Sequence, residues 1–181
     1  MSPMSPTSPK QKMKNNTTVY LAKGERESSA LLKSRAVQDY FGNTEAELAK
    51  TEKGKPIISF PEGHGISVSH SGGVLAVVIA PYNVGIDIQE RLDRDNSHVI
   101  QGFFHESERD TDFYSLWVRK EAYGKLTGDG VFTLKGKKLD ENVTFTDISE
   151  EISQFAGKAF SAVIATDRGK APDVEFIGSD L

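Results

Sequence analysis

The sequence predicts an α+β fold with two similar lobes, each formed by a small, mainly antiparallel sheet packed with helices. Some segments alternate apolar and polar residues between turns of hairpin length, and others repeat apolar residues at helical spacing. LAVVIA at 75–80 is echoed by FSAVIA at 160–165, which favours two related lobes, although shared β-propensity explains so short a match nearly as well. With 181 residues, of which 37% are hydrophobic, the chain is long enough to bury a core.

The N-terminal half is predicted to begin with a flexible tail over residues 1–16, which repeat Ser-Pro three times. A strand at 17–22 and a helix at 28–41 follow, and a capping box predicts a second, short helix over 44–50. The segments PIISF, ISVSH, VLAVVIA and VGIDI are separated by short turn sequences. They therefore predict four strands in an antiparallel meander.

The C-terminal half returns to helical spacing. Apolar residues predict one helix within 95–104 and a longer helix over 112–126, which glycines end at 128–130. The alternating segments NVTFTDI and KAFSAVIAT then predict two further strands. We therefore divide the chain into the tail, an N-terminal lobe at 17–92 and a C-terminal lobe at 93–181.

Composition disfavours several classes of protein. The chain contains no cysteine, which removes thiolate metal sites, disulfide frameworks and cysteine nucleophiles. No apolar run approaches the roughly 20 residues of a membrane helix, and the N-terminus lacks the apolar core of a signal peptide. The net charge is −4, from 22 basic and 26 acidic residues that are well mixed, which disfavours general binding of nucleic acid. We expect a soluble, cytoplasmic, monomeric protein without nucleic-acid or membrane partners.

Polar side chains lie inside or at the end of two apolar strands. The segment GISVSHSGG presents Ser69 and His70 where a strand runs into a glycine turn, and VGIDIQE places Asp87 among apolar residues. A carboxylate directed inward is costly unless it is paired or bound to a cation. The alternatives are a satisfied histidine near a turn and a strand-end aspartate that accepts backbone hydrogen bonds.

Two further segments place a lysine where it has either a working role or an ordinary structural one. In WVRKEAYGK, Glu121 and Lys125 are one helical turn apart and share a stripe with Trp117, so the pair is either partly buried or an ordinary surface ion pair. In GKP, Lys55 stands between a glycine and a proline at the entry of a loop. It either binds a phosphate as a point charge or is an ordinary solvated lysine. P-loop, Rossmann and Gly-x-Ser-x-Gly motifs are absent, which disfavours kinases, Rossmann dehydrogenases and serine hydrolases.

Taken in order, GKP at 54–56, ISVSHS at 66–71, GIDI at 85–88 and WVRKEAYGK at 117–125 resemble the motifs of the 4'-phosphopantetheinyl transferases of the surfactin-activating (Sfp-type) class. FFHESE at 103–108 is similar to the Phe-Phe segment of that family. The resemblance implies an enzyme that transfers the phosphopantetheine arm of coenzyme A to a serine of an acyl or peptidyl carrier protein, releases 3',5'-ADP and uses Mg²⁺. It also implies two α+β lobes in a pseudo-two-fold arrangement, with coenzyme A in the cleft between them.

The resemblance implies metal-binding and catalytic residues. Asp87 and Glu121 take the positions of metal ligands, and Lys125 would neutralise or protonate the departing phosphate and contact the coenzyme. Gln89 departs from the family pattern, because an acidic residue often stands there; as a metal ligand it offers only a neutral oxygen. Either Glu121 or a metal-bound water would take the proton from the carrier serine.

Other residues are implied to hold the nucleotide end of coenzyme A. Lys55, Ser69 and His70 match the family's positions for this role. Ser69 and His70 project from opposite faces of a regular strand, so we expect the chain to turn there. Arg26 and Lys33 are the residues we consider for the adenosine 3'-phosphate, although neither matches a family motif.

Two other functions remain open from the sequence. A relative that binds coenzyme A or a carrier without turnover is compatible with the neutral Gln89. A Mg²⁺-dependent hydrolase of nucleotide pyrophosphates would use the same groups to activate water.

Overall fold

The computed structural model describes residues 12–42 and 44–179. The strands in these ranges are β1 (Thr17–Lys23), β2 (Glu47–Lys50), β3 (Pro56–Phe60), β4 (Gly65–Ser71), β5 (Val74–Ala80), β6 (Val84–Glu90), β7 (Thr144–Asp147), β8 (Phe160–Thr166) and β9 (Val174–Ser179). The α-helices are α1 (Ser29–Phe41), α2 (Ser97–Phe103), α3 (Phe113–Thr127) and α4 (Ser149–Ala156). The α+β class and the two longer predicted helices are confirmed.

The strands form three sheets. A four-stranded sheet has the order β4-β5-β1-β9, a three-stranded sheet the order β6-β8-β7, and β2 pairs with β3 alone. All pairs are antiparallel except β1 with β9, which is parallel. The division of the chain at residues 92 and 93 stays a prediction, and strand pairing crosses it twice, since β6 pairs with β8 and β9 with β1.

The predicted meander is wrong, because only β4 and β5 of its four strands are neighbours in a sheet. β6 pairs over its whole length with β8 instead of continuing from β5. The physical reason lies in its burial: the residues from Val84 to Ile88 are all buried, so both faces of β6 need cover. In the observed structure β6 is the edge strand of the three-stranded sheet, and β4 and α3 cover it in addition to β8.

The helix predicted over 44–50 is also wrong. Residue 43 lies outside the described residues, and Glu47–Lys50 form β2, in which Ala49 faces Ile57 and Lys50 faces Pro56 of β3. All four residues of β2 are exposed. The helix that this capping box would begin is too short to compete with strand pairing, because isolated helices shorter than about 12 residues are marginal in water.

The core occupies both faces of the four-stranded sheet. β5 is buried along its whole length, and its alternate residues supply the two sides. Val74, Ala76 and Val78 face the cluster shared with β6 and β8, whereas Leu75 and Val77 face α1. Helix α3 covers the outer side of the three-stranded sheet through a smaller apolar cluster. Helix α3 therefore encloses the space beside β4 and β6.

A ladder of serine hydroxyls joins β4 to β6, although the two strands belong to different sheets. At every second residue of β4 a hydroxyl accepts a backbone N–H of β6, at distances of 3.0–3.2 Å. The pairs are Ser67 with Ile86, Ser69 with Ile88, and Ser71 with Glu90. These bonds satisfy amides that would otherwise be buried without partners, and they fix the register of the two strands.

Near the N-terminus, residues 1–11 of the predicted tail lie outside the described residues. Close to its predicted end, Lys14 and Asn16 donate hydrogen bonds to Glu175 of β9 at 2.8 and 2.9 Å. No helix within residues 12–42 and 44–179 has the length and apolar character needed to cross a membrane.

Candidate active site

A cavity of about 390 Å³ lies where β4, β6 and α3 meet. Six of the seven residues predicted for the site line it: Ser69, His70, Asp87, Gln89, Glu121 and Lys125. Arg26, which was considered for the adenosine 3'-phosphate without a matching motif, lines the same cavity, whereas Lys33 does not. The structure therefore brings together side chains from three elements that are far apart in the sequence.

Asp87 is the most buried acid of this group, with 5% of its surface exposed. Its Oδ1 atom accepts hydrogen bonds from the Ser69 hydroxyl at 2.8 Å and from the Lys125 ammonium at 2.7 Å. Its Oδ2 atom is buried and has no hydrogen-bond partner among the described residues. An unpaired buried carboxylate oxygen is costly unless a cation binds it, so Oδ2 is the atom at which a cation would be held.

Glu121 faces the same cavity from α3, one turn before Lys125. Burial raises the pKa of the Glu121 carboxyl, the charge of Asp87 raises it further, and Lys125 acts in the opposite direction. Both carboxylates line the same cavity, and their like charges oppose each other's ionisation.

Close packing of α3 on β6 explains how the two acids approach each other. Gly85 is buried against the backbone of α3: a β-carbon there would overlap Ala122 O and lie 2.7 Å from Leu126 N. A side chain at this position would hold the helix away from the strand. The glycine of the GIDI segment thus permits the approach that brings Glu121 towards Asp87.

His70 and Gln89 lie further along β4 and β6 than Ser69 and Asp87. β4 remains regular to Ser71, and the turn comes only at Gly72 and Gly73, so the predicted turn at residues 69 and 70 is wrong. Ser69 is accordingly buried and His70 exposed, as opposite faces require. His70 still borders the cavity because β4 ends at its mouth.

Lys55 is the predicted residue that lies outside this cavity. It lines an adjoining cavity of about 470 Å³, which shares Val68 and Lys125 with the first. The Lys55 ammonium donates to Leu126 O at 2.7 Å, near the C-terminal end of α3, and to Asn83 Oδ1 at 2.9 Å. Burial lowers the pKa of this ammonium. A lysine beside free carbonyls at a helix C-terminus is favourably placed, so the residue ties the β2–β3 loop to α3.

An ion-pair network at the N-terminus of α3 escaped sequence reasoning. Asp112 caps the helix by accepting the Ser115 N–H at 2.8 Å, and both of its oxygens accept from the Arg91 guanidinium, at 2.6 and 3.0 Å. Arg91 directly follows β6 and also donates to Ser161 of β8 at 2.7 Å. The network fixes the start of α3 against the sheet. The capping aspartate was visible in the sequence, but nothing there indicated its partner.

The donor set suits a hard divalent cation. Asp87 Oδ2 is free, Glu121 supplies a second carboxylate and Gln89 a neutral amide oxygen, and Mg²⁺ binds through such oxygens while keeping several waters. Among the described residues, no group of three or more His, Cys, Asp or Glu side chains is placed to hold a metal ion. The protein would therefore supply two carboxylates, and water or a ligand would complete the coordination sphere.

Two comparisons with known proteins show similarity to one class of transferase. A family model described as the 4'-phosphopantetheinyl transferase superfamily matches residues 83–170, which contain Asp87, Glu121 and Lys125. The chain is similar to this superfamily over the matched region, and the resemblance noted in the sequence is confirmed.

One curated relative is the 4'-phosphopantetheinyl transferase gsp of Aneurinibacillus migulanus, 32% identical over 114 residues. The alignment covers 56% of this chain and 47% of the relative, so the chain spans about half the length of the curated relative it matches.

Proposed function

We propose that the protein transfers the 4'-phosphopantetheine arm of coenzyme A to a serine of an apo acyl or peptidyl carrier protein, with release of 3',5'-ADP and dependence on Mg²⁺. The observation that carries this proposal is the free, buried Oδ2 of Asp87 in one cavity with Glu121 and Lys125. The superfamily match over the same region supports it.

The diphosphate of coenzyme A would occupy the cavity beside β4 and β6. Asp87 and Glu121, with the amide oxygen of Gln89, would hold the Mg²⁺ ion, which neutralises diphosphate charge when bound. Lys125 would place its ammonium against the phosphate that leaves. Hydrogen bonds to Asp87 and Ser69 already hold this ammonium in the cavity. Catalysis of phosphoryl transfer consists mainly of such positioning and charge stabilisation.

In the transfer itself, the oxygen of the carrier serine forms a bond to the phosphorus next to the pantetheine. The bond from that phosphorus to the oxygen of 3',5'-ADP breaks, and the nucleotide leaves with the electron pair. Glu121 and water are the two candidates for accepting the serine proton. Burial raises the pKa of Glu121, which favours it as the base, whereas coordination to Mg²⁺ would make the same carboxylate a weaker base, so both candidates stand.

The nucleotide end of coenzyme A would extend from the diphosphate towards the mouth of the cavity. His70 and Arg26 are exposed there and supply polar or positively charged contacts for a phosphate. Lys55 would contribute from the adjoining cavity, where its side chain is anchored on α3. Ser69 was also predicted to hold this end of the coenzyme.

The setting of this reaction is part of the proposal. Coenzyme A and a carrier protein are the proposed partners, and the expected protein is monomeric and cytoplasmic, without nucleic-acid or membrane partners. The mixed charges of the chain support the absence of nucleic acid among its partners.

The decisive assay measures transfer directly. The protein is incubated with coenzyme A, Mg²⁺ and apo carrier domains from fatty-acid, polyketide and peptide synthesis, and the carrier mass is followed. We expect the mass of the arm to appear on a carrier serine, and Asp87→Asn to slow transfer at least about 100-fold. Asp110→Asn, in an exposed loop before α3, is the matched control and should keep full activity.

A second candidate function is binding of coenzyme A without turnover, which the neutral Gln89 in the metal site favours. In that case coenzyme A binding would survive Asp87→Asn, and no carrier would be modified by either protein. Release of 3',5'-ADP without any carrier would instead indicate a hydrolase.

A further inference from the structure

The hydroxyl of Ser69 uses all of its hydrogen-bonding capacity inside the protein. It donates to Asp87 Oδ1 at 2.8 Å and accepts from the Lys125 ammonium at 2.9 Å and from the Ile88 N–H at 3.2 Å. A serine hydroxyl has one donor and two acceptor sites, so all three are occupied. The side chain is also buried, with 4% of its residue surface exposed. Ser69 therefore has no free group to offer to a nucleotide.

The other two serines of the ladder lack these additional contacts. Among the described residues, Ser67 accepts only the Ile86 N–H, at 3.1 Å, and Ser71 accepts only the Glu90 N–H, at 3.0 Å. Of the three serines, only Ser69 combines the bond to β6 with contacts to Asp87 and Lys125 of the cavity. The ladder thus fixes the Ser69 oxygen through a backbone group, and that oxygen in turn meets Asp87.

This arrangement makes the two carboxylate oxygens of Asp87 different. Oδ1 is held by Ser69 and Lys125, whereas Oδ2 is buried and has no partner within residues 12–42 and 44–179. The Lys125 side chain, with 28% exposed, is long and flexible, so it cannot by itself fix the orientation of the carboxylate. The hydroxyl of Ser69 can fix this orientation, because it is itself held by the Ile88 amide.

We infer that Ser69 is a positioning residue for the metal site: it orients the Asp87 carboxylate so that Oδ2 faces the cation, and it does not bind the nucleotide of coenzyme A. The inference rests on the proposed function, because it assigns Ser69 a place in the same reaction. Groups that orient metal ligands in this way commonly change metal affinity by roughly 10- to 100-fold when they are removed.

The test compares Ser69→Ala with Ser71→Ala, which removes a ladder bond of the same kind but no contact to Asp87. Binding of Mn²⁺ is measured by electron paramagnetic resonance in the presence of coenzyme A and without a carrier. The dissociation constant of coenzyme A without metal is measured by calorimetry, and urea unfolding shows whether each variant is folded. Ser69→Thr keeps the hydroxyl and serves as the rescue variant.

We expect Ser69→Ala to weaken Mn²⁺ binding at least about tenfold. Ser71→Ala should change it less than about twofold, since its hydroxyl meets only a backbone amide. Coenzyme A binding without metal should be unchanged in both variants, and Ser69→Thr should restore Mn²⁺ binding. Equal Mn²⁺ affinities for the two alanine variants would overturn the inference, as would a folded Ser69→Thr that binds Mn²⁺ no better than Ser69→Ala. Weaker metal-free coenzyme binding in Ser69→Ala alone would restore a nucleotide-binding role.

The outcomes separate this inference from the proposed function. If the wild-type protein binds Mn²⁺ as expected but modifies no carrier, the transferase proposal fails and the positioning of Asp87 by Ser69 stands. If the wild-type protein transfers the arm but Ser69→Ala behaves like Ser71→Ala, only the inference fails. A wild-type protein that binds no Mn²⁺ in the presence of coenzyme A contradicts both.

Discussion

The carboxylate of Asp87 and the ammonium of Lys125 form an ion pair of 2.7 Å between β6 and α3, on side chains that are 8% and 28% exposed. The two residues are 38 positions apart in the chain, so the pair links elements that the sequence does not bring together. The pair fixes the ammonium of Lys125, the proposed countercharge for the leaving phosphate, and occupies one oxygen of Asp87, while the other oxygen has no partner among the described residues. Its two members should therefore be coupled in both stability and activity.

Replacement of Lys125 by methionine tests this coupling. Lys125→Met leaves the buried Asp87 carboxylate without its countercharge and should lower the free energy of unfolding by about 2–3 kcal/mol. In the double variant Asp87→Asn/Lys125→Met the uncompensated charge is gone, so most of the loss should be recovered, while transfer stays absent. Urea unfolding at neutral pH measures both effects.

Lys158→Met is the control for the Lys125 variant. Lys158 pairs with Glu90 at 2.8 Å, but its side chain is 42% exposed, so its removal should cost less than about 1 kcal/mol. Equal destabilisation by the two lysine substitutions would show that the Asp87 charge is well solvated and does not depend on Lys125.

Gln89→Glu tests whether this residue faces the metal. A third carboxylate at the cavity should strengthen binding of a divalent cation, because affinity rises with the charge of the ligands. The Mg²⁺ concentration that gives half-maximal transfer should fall severalfold, and calorimetry with coenzyme A should show the same change. Gln38→Glu, on the exposed side of α1, adds the same charge elsewhere and should leave the requirement unchanged. An unaltered Mg²⁺ requirement in Gln89→Glu would place residue 89 away from the ion.

The members of the candidate site could be predicted from the sequence more completely than the sheets that carry them. Asp87, Glu121 and Lys125 stand in short segments that resemble the family's motifs, and this resemblance singled them out without knowledge of the fold. The spacing of Glu121 and Lys125 follows from one helical turn, which is a local property. The structure places these residues around one cavity. Their catalytic roles stay a prediction.

Strand pairing could not be predicted in the same way, because it depends on contacts between distant segments. The turn between β5 and β6 fits a hairpin, yet β6 pairs with β8, more than 70 residues later. The parallel pairing of β9 with β1 likewise has no local signal. The three serines of the ladder were visible as an alternating pattern, but their bonds to β6 depend on the arrangement of the two sheets.

The pair formed by Asp112 and Arg91 should make stability depend on pH. The Arg91 guanidinium holds the pKa of the Asp112 carboxyl well below its usual range. A group whose pKa is lower in the folded state adds stability above its unfolded pKa, about 3.9, and this contribution is lost as the pH falls towards the folded value. Asp112→Asn keeps a good helix cap but removes the charge.

We therefore expect Asp112→Asn to be less stable than the wild-type protein at pH 7, by less than about 1 kcal/mol because both side chains are partly exposed. The difference should shrink between pH 4 and pH 3, when urea unfolding of the two proteins is compared. A difference that stays constant over this range would mean that the charge of Asp112 does not contribute to stability.

Gly85→Ala tests the close approach of α3 to β6, on which the meeting of Glu121 and Asp87 depends. A β-carbon at residue 85 would overlap the helix backbone at Ala122, which cannot move aside as a flexible side chain can. The variant should lose about 3 kcal/mol of unfolding free energy and bind Mn²⁺ more weakly, because the helix must shift outward. Gly102→Ala, on α2, meets nothing within 4 Å and should be neutral or slightly stabilising, since alanine favours the helix. If Gly85→Ala were as stable as Gly102→Ala and bound Mn²⁺ normally, α3 would not need its contact with β6 to assemble the site.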